Sequence, residues 1–247
     1  MDPGHVSVET IDGISTIRFG HPKGNSLPGS LLAHIASTID AVAADSASRV
    51  IVLRSSDLGP FCAGASFDEL RAIADAAGGK EFFMGFARVI LAMRRCPKII
   101  IARVHGKTVG GGVGIVAAAD YAIATSNASV RLSELAVGIG PFVVGPVIER
   151  KIGPGPFQAL AIDATNWRDA TWAERHGLFA QVVDDSGALD EAVAALAGQL
   201  ARSNPDAMAR LKQIFNEGTD HWATLLPERA AMSGTLVLSP FTRSAIG

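Results

Sequence analysis

The chain has 247 residues, 48% of them hydrophobic, and a formal net charge of −2, enough for one large buried core or one core with a small appendage. Acids and bases are interspersed, which argues against the basic face that nucleic acid requires. The longest apolar runs, such as Lys98–Val104, are strand-sized and too short to span a bilayer. In chain order, Val6–Thr10 and Ile14–Phe19 alternate apolar and polar residues around Asp12-Gly13, a hairpin signal. Leu31, Leu32, Ile35, Ile39 and Val42 share a helical face, and 49–54 reads as a buried strand. Helices are expected at 66–78 and 81–94, a strand at 98–104, a small-residue helix at 111–119, and short strands at 120–124 and 129–132. Beyond about residue 140 the pattern turns helical: 142–152, 156–163, 169–176, 188–202, 205–216 and 221–235, broken by a strand at 180–183. Strands with helices first, then helices alone, predict an α/β core over 1–185 and a helical C-terminal region over 186–247.

No basic-then-apolar leader opens the chain. Cys62 and Cys96 show no metal spacing, and the six histidines form no HxH or HxxxH pair, so a reducing, cytoplasmic compartment and no metal are expected.

Gly110-Gly111-Gly112 follows a strand and opens a helix. Glycine there allows close backbone approach, and the helix start offers unpaired N–H groups and positive dipole. The spacing is neither GxxxxGK[ST] nor GxGxxG, which disfavours nucleotide phosphate. Read alone, the triplet serves equally well to pack a helix on a sheet. A second segment, Gly59–Leu70, places Gly64 and Ala65 at a turn before a helix. Ser66 with Glu69 reads as a capping box. Two separated backbone N–H groups at such turns are what an oxyanion hole needs.

Phe61–Ala65, Pro97–Gly106, Val109–Gly112, Ala119–Ala124, Ser133–Gly140 and Gly177–Val183 together resemble the enoyl-CoA hydratase/isomerase (crotonase) family, in family order across nearly the whole chain. The resemblance implies a crotonase-like spiral of ββα units, an α/β fold whose helical C-terminal region trimerises, as a homotrimer or dimer of trimers. It implies acyl-CoA thioester substrates and no cofactor beyond the coenzyme A they carry. It assigns the thioester-oxygen donors to the N–H groups of Ala65 and Gly111, and an acid/base role to Glu134. It also places Gly64, Ser66, Phe67, Gly110 and Phe142 at the substrate, and Lys23 in a loop that lies along CoA.

The sequence departs from the family at Gly114, where hydratases carry the first of two glutamates; the second is present as Glu134. Hydration needs water activated and a proton delivered, whereas moving a double bond needs one base. A single-base enoyl-CoA isomerase is the leading expectation. An enoyl-CoA hydratase despite Gly114, and a non-catalytic acyl-CoA- or RNA-binding relative, are the rivals. Apolar neighbours Leu132, Leu135, Ala136, Val137 and Phe142 are expected to raise the Glu134 pKa. A second departure, Gly140–Gly145 with Phe142 and two valines, predicts a short or branched acyl chain. Asp68 and Glu69 are expected as first-turn acids that favour the dipole of the helix they start. Asp120 and His105 read as structural residues. Trp167, Trp172 and Trp222 read as core or trimer contacts.

Overall fold

The computed structural model describes residues 3–57 and 59–247. Two antiparallel strands open it, β1 (His5–Ile11) and β2 (Ile14–Gly20). Asp12 and Gly13 turn between them with φ of 50° and 79°, the paired left-handed residues a two-residue hairpin requires. Helix α1 (Gly29–Ala44) crosses back, and β3 (Val50–Ser55) adds parallel to β2. β4 (Ile99–Val104) and β6 (Tyr121–Thr125) extend the sheet, with β9 (Gln181–Val183) at its edge. The order is β1-β2-β3-β4-β6-β9.

A second, narrower wall explains the spiral. β5 (Thr108–Val109), β7 (Ser129–Arg131) and β8 (Arg168–Asp169) form it. Single parallel bridges, Leu27 to Ala65 and Cys62 to Thr108, continue it toward the N-terminus. Successive turns of chain thus leave a long strand in one sheet and a short one in the other.

The long strands are apolar on both faces, as strands covered on both sides must be. Ile51, Leu53, Ile100 and Ala102 face the main core with α1, α3 (Ala76–Arg95) and α4 (Gly111–Ala118). Val50, Val52, Ile99, Ile101 and Ile123 face the other way, against Leu189, Val193 and Ala197 of α8 (Ser186–Ala201). Arg103 is 2% exposed on β4; it donates to both carboxylate oxygens of Asp190 on α8 and to Asp57.

The expected helix 66–78 is two elements. α2 (Phe67–Ala72) stops, and Asp75 starts α3 by accepting from the Gly78 N–H at 2.7 Å. A side-chain oxygen satisfying the first orphan donors fixes that boundary. Ser66 caps α2 by accepting from Glu69 N. The reciprocal half of the box is absent: the Glu69 carboxylate accepts instead from Gly29 N, at the start of α1. Residues 142–144 are turn rather than helix, and α5 covers Gly145–Ile152. α6 (Pro154–Ile162) and α7 (Ala170–Arg175) lead to β9. After α8 come α9 (Pro205–Phe215), α10 (Trp222–Leu236) and α11 (Pro240–Ile246). α10 packs closely on α3, where Gly79 and Gly234 meet backbone to backbone.

α11 was not expected. It clamps two separate parts of the fold: Arg243 donates to the carbonyls of Arg71 and Ile73, and Arg71 donates to that of Ile246. Trp222 is buried in the core and Trp172 packs against it. Trp167 is exposed and carries Lys107 and Arg131 over its ring.

Candidate active site

The cleft lies between the two glycine turns and the loop after β7. It encloses about 650 Å3 measured out to its open mouth, with Ala65, Gly111, Glu134, Phe142 and Val144 in its wall. Gly64, Phe67 and Gly110 also line it. Two side-chain hydroxyls, Ser133 and Ser233, belong to the wall; among the described lining residues Glu134 is the single titratable one.

Backbone geometry selects the free donors. In the bridge to Leu27, the carbonyl of Gly64 accepts from Leu27 N and Ser66 N donates to Leu27 O. In a parallel pairing the residue between them directs its own N–H to the opposite side. That residue is Ala65, whose N–H has no acceptor among the described residues. At the other turn, Gly110 N donates to Arg131 O at 2.9 Å, while Val113 N and Gly114 N return to Gly110 O. Gly111, first in α4, keeps its N–H without an acceptor among the described residues, as a first helical position must. Of the glycine triplet, then, Gly110 has used its donor and Gly111 has not.

Two glycines shape these turns. Gly64 has φ of 90° and Gly110 φ of 53°, left-handed backbone that disfavours side chains. A Cβ on Gly110 would stand 3.0 Å from Glu134 Oε1, so its absence makes room for the carboxylate.

Glu134 begins a 3-10 turn, Leu135–Val137, closed by Gly138 in the left-handed region. Its carbonyl accepts from Val137 N and Ile139 N. Part of the residue remains solvent-exposed, but carboxylate Oε2 is buried without a partner among the described residues. Burial pushes the Glu134 pKa up to about 7, partly opposed by its own backbone N–H. The apolar surroundings are not quite those expected. Leu135 and Ala136 point to solvent and Leu132 lies in the core. Val137 and Phe142 line the cleft as expected, and Ile139 and Val144 join them in its wall.

The space beside Gly114 belongs to Val144. A Cβ on Gly114 would stand 2.5 Å from Val144 Cγ1 and 2.7 Å from its Cβ. Val144, 4% exposed, lines the cleft, and Gly114 does not. The two departures read from the sequence, at Gly114 and at 140–145, are therefore one contact. No periodicity or spacing signal joins positions thirty residues apart, so Val144 itself was not singled out.

Other sequence candidates sit outside the cleft wall. The Ser66 hydroxyl is engaged as the α2 cap. Lys23 is exposed and ion-paired with Asp68, whose pKa it lowers. Glu69 is held by Gly29 N. His105 meets the Gly59 carbonyl through Nε2 at 3.2 Å and sits edge-on to Phe61; burial lowers its pKa. Asp120 accepts from Ile100 N and pairs with buried Lys212 of α9 at 2.8 Å. No cluster of three or more potential metal ligands forms among the described residues.

Residues 9–241 match the sequence model described as enoyl-CoA hydratase/isomerase. The chain belongs to that family. Among relatives of this enoyl-CoA hydratase/isomerase family member, the short-chain-enoyl-CoA hydratase of Clostridium acetobutylicum is 29% identical over 220 residues, covering 88% of this chain and 83% of the relative. The mitochondrial methylglutaconyl-CoA hydratase of Rattus norvegicus is 30% identical over 200 residues, 79% of this chain and 63% of that protein. The enoyl-CoA hydratase structure from Bacillus halodurans superimposes with a TM-score of 0.89 at 20% identity, covering 98% of each chain. That likeness establishes the shared crotonase fold.

Proposed function

We propose that this family member acts on acyl-CoA thioesters through an enolate, with Glu134 as its single general acid/base, and most simply as an enoyl-CoA isomerase. The observation that carries the reading is the carboxyl of Glu134, alone among titratable groups in the lining and held by burial at a pKa of about 7. A base poised near neutrality can both accept and return a proton.

In the proposed reaction the N–H groups of Ala65 and Gly111 hold the thioester oxygen. Ionised Glu134 removes a proton from C2 of a 3-enoyl thioester. The C2–H electron pair forms the C1–C2 double bond of the enolate, and the negative charge collects on the held oxygen. The electrons then return: the C2–C3 double bond forms, the C3–C4 double bond opens, and Glu134 delivers its proton to C4. No redox partner, metal or cofactor enters; coenzyme A belongs to the substrate. Each donor in such a hole lowers the barrier by about 3 kcal/mol.

Gly64 and Phe67 flank the acyl portion. Phe142 narrows the far wall, which supports a short or branched acyl group. Lys23 is available to a CoA phosphate once released from Asp68. Two free, buried cysteines support a reducing, cytoplasmic setting. We further propose a homotrimer or dimer of trimers, and no nucleic-acid partner.

The second reading, an enoyl-CoA hydratase, is favoured by the hydratase names of the relatives. A panel of 2-enoyl- and 3-enoyl-CoAs of increasing chain length separates the two. The isomerase reading expects 3-enoyl substrates to convert to 2-enoyl products with little 3-hydroxy product, and Phe142→Ala to extend the accepted chain length. Water addition to 2-enoyl-CoA faster than bond migration would favour the hydratase.

A further inference from the structure

Gly110, the residue that precedes α4, and Gly114, in its first turn, are joined by the hydrogen bond from Gly114 N to Gly110 O; Gly110 lines the cleft and Gly114 lies behind Val144. The Glu134 carboxylate lies over the first and the Val144 methyls over the second. From this arrangement we infer that Val144 is a specificity-determining residue: it keeps the position beside Glu134 dry and limits the cleft to proton transfer, excluding water addition. The inference rests on the reading of Glu134 as the acid/base group.

Val144 is fixed in place. Its carbonyl accepts from Ile148 N at 3.1 Å, and the turn before it is closed by Gly145 N to Pro141 O at 2.7 Å. Pro141, Phe142 and Val143 continue the same wall, and none of them carries a polar side-chain atom. An ordered water needs two to four polar partners. Residues 141–144 offer it no side-chain partner, Val144 covers Gly114, and the polar side chains of the lining are confined to Ser133, Glu134 and Ser233.

The chemistry divides accordingly. In hydration the water oxygen bonds to C3 of a 2-enoyl thioester. Glu134 takes one water proton and delivers it to C2, and the C2–C3 π pair forms the new C2–H bond by way of the enolate. That step needs a water held beside Glu134. Bond migration needs only the proton that Glu134 takes from C2. Filling the neighbouring position with methyl groups suppresses the first and spares the second.

The test compares wild type, Val144→Gly, Val144→Ala and the double variant Gly114→Glu/Val144→Gly. Water addition to crotonyl-CoA and deuterium exchange at C2 of butanoyl-CoA are both read by mass spectrometry. The expected result is a hydration-to-exchange ratio that rises at least about tenfold in Val144→Gly and further in the double variant. A stability cycle checks the contact without relying on turnover. Gly114→Ala should lower the melting temperature when Val144 is present and much less beside Val144→Gly, because its new Cβ collides with Val144. An unchanged ratio in folded Val144 variants that still exchange deuterium would overturn the inference and leave Glu134 chemistry standing. So would a wild type that hydrates as fast as it exchanges. Absence of exchange with any thioester would overturn both.

Discussion

Glu134 has no charged partner among the described residues of its cleft, and its Oε2 is buried without a hydrogen bond among them. A carboxyl stripped of water and given no cation stays protonated to higher pH, here to about 7. The base form is needed to take a proton, so turnover should rise between pH 6 and 8 with a midpoint near 7, and Glu134→Gln should abolish that rise. The same shift affects folding. Between the ordinary value of 4.5 and about 7, the folded chain holds a proton that the unfolded chain has lost, so stability falls as pH rises through this window. Glu134→Gln should melt higher than wild type at pH 8 and close to it at pH 4, as differential scanning calorimetry would record. That Glu134, Ala65 and Gly111 would face one cleft was legible in the sequence. Turn glycines, a cap and a helix start leave readable traces, and family register supplied the glutamate. Val144 was not legible, because its partner Gly114 is met only across the fold.

Among the elements, α4 carries the site at one end and is anchored at the other. Lys151 Nζ donates to the carbonyls of Ala119 and Asp120, just past its C-terminus. The Asp120 carboxylate meets Ile100 N and Lys212, and Lys212 also donates to Lys98 O. β4, the end of α4 and α9 are thereby joined by one buried pair. Removing one partner of such a pair leaves the other charge stranded and costs about 3–5 kcal/mol. Asp120→Ala should lower unfolding free energy by that order in urea titration, whereas Asp184→Ala should change it little. The structural role of Asp120 was anticipated; its partners, ninety residues and more away in Lys212, were not. The types of the longer elements followed from periodicity; the misses are short strands, α11 and one interior helix boundary. Asp75 caps a helix inside what reads as one continuous run. α11 carries a Pro at its first position and a Ser cap, start signals that were readable, but at seven residues it is too short to show a helical period.

At the scale of the whole molecule, the chain's turns stack as a spiral, one strand to each sheet, and the C-terminal helices close over it. Those helices leave large apolar side chains uncovered: Leu211, Ile214 and Phe215 on α9, Met232 and Leu236 on α10, and Phe241 on α11. Leu211, Ile214 and Phe215 are spaced to share one face of α9, and an exposed apolar face supports the proposed assembly of identical chains. Native mass spectrometry should give three or six times the 25.6 kDa chain mass; a monomer at micromolar concentration would contradict that proposal. The two-sided burial of the parallel strands was legible as continuous apolar runs. Of the second wall only β7 was legible, as the strand expected at 129–132; β5 and β8 are two residues each, below the length at which a period can be seen.

Proton exchange at C2 of a saturated acyl-CoA in D2O tests the central claim most directly. The account predicts deuterium uptake by wild type, lost in a folded Glu134→Gln variant that still binds the thioester. Uptake that persists in Glu134→Gln would contradict it and place the base elsewhere.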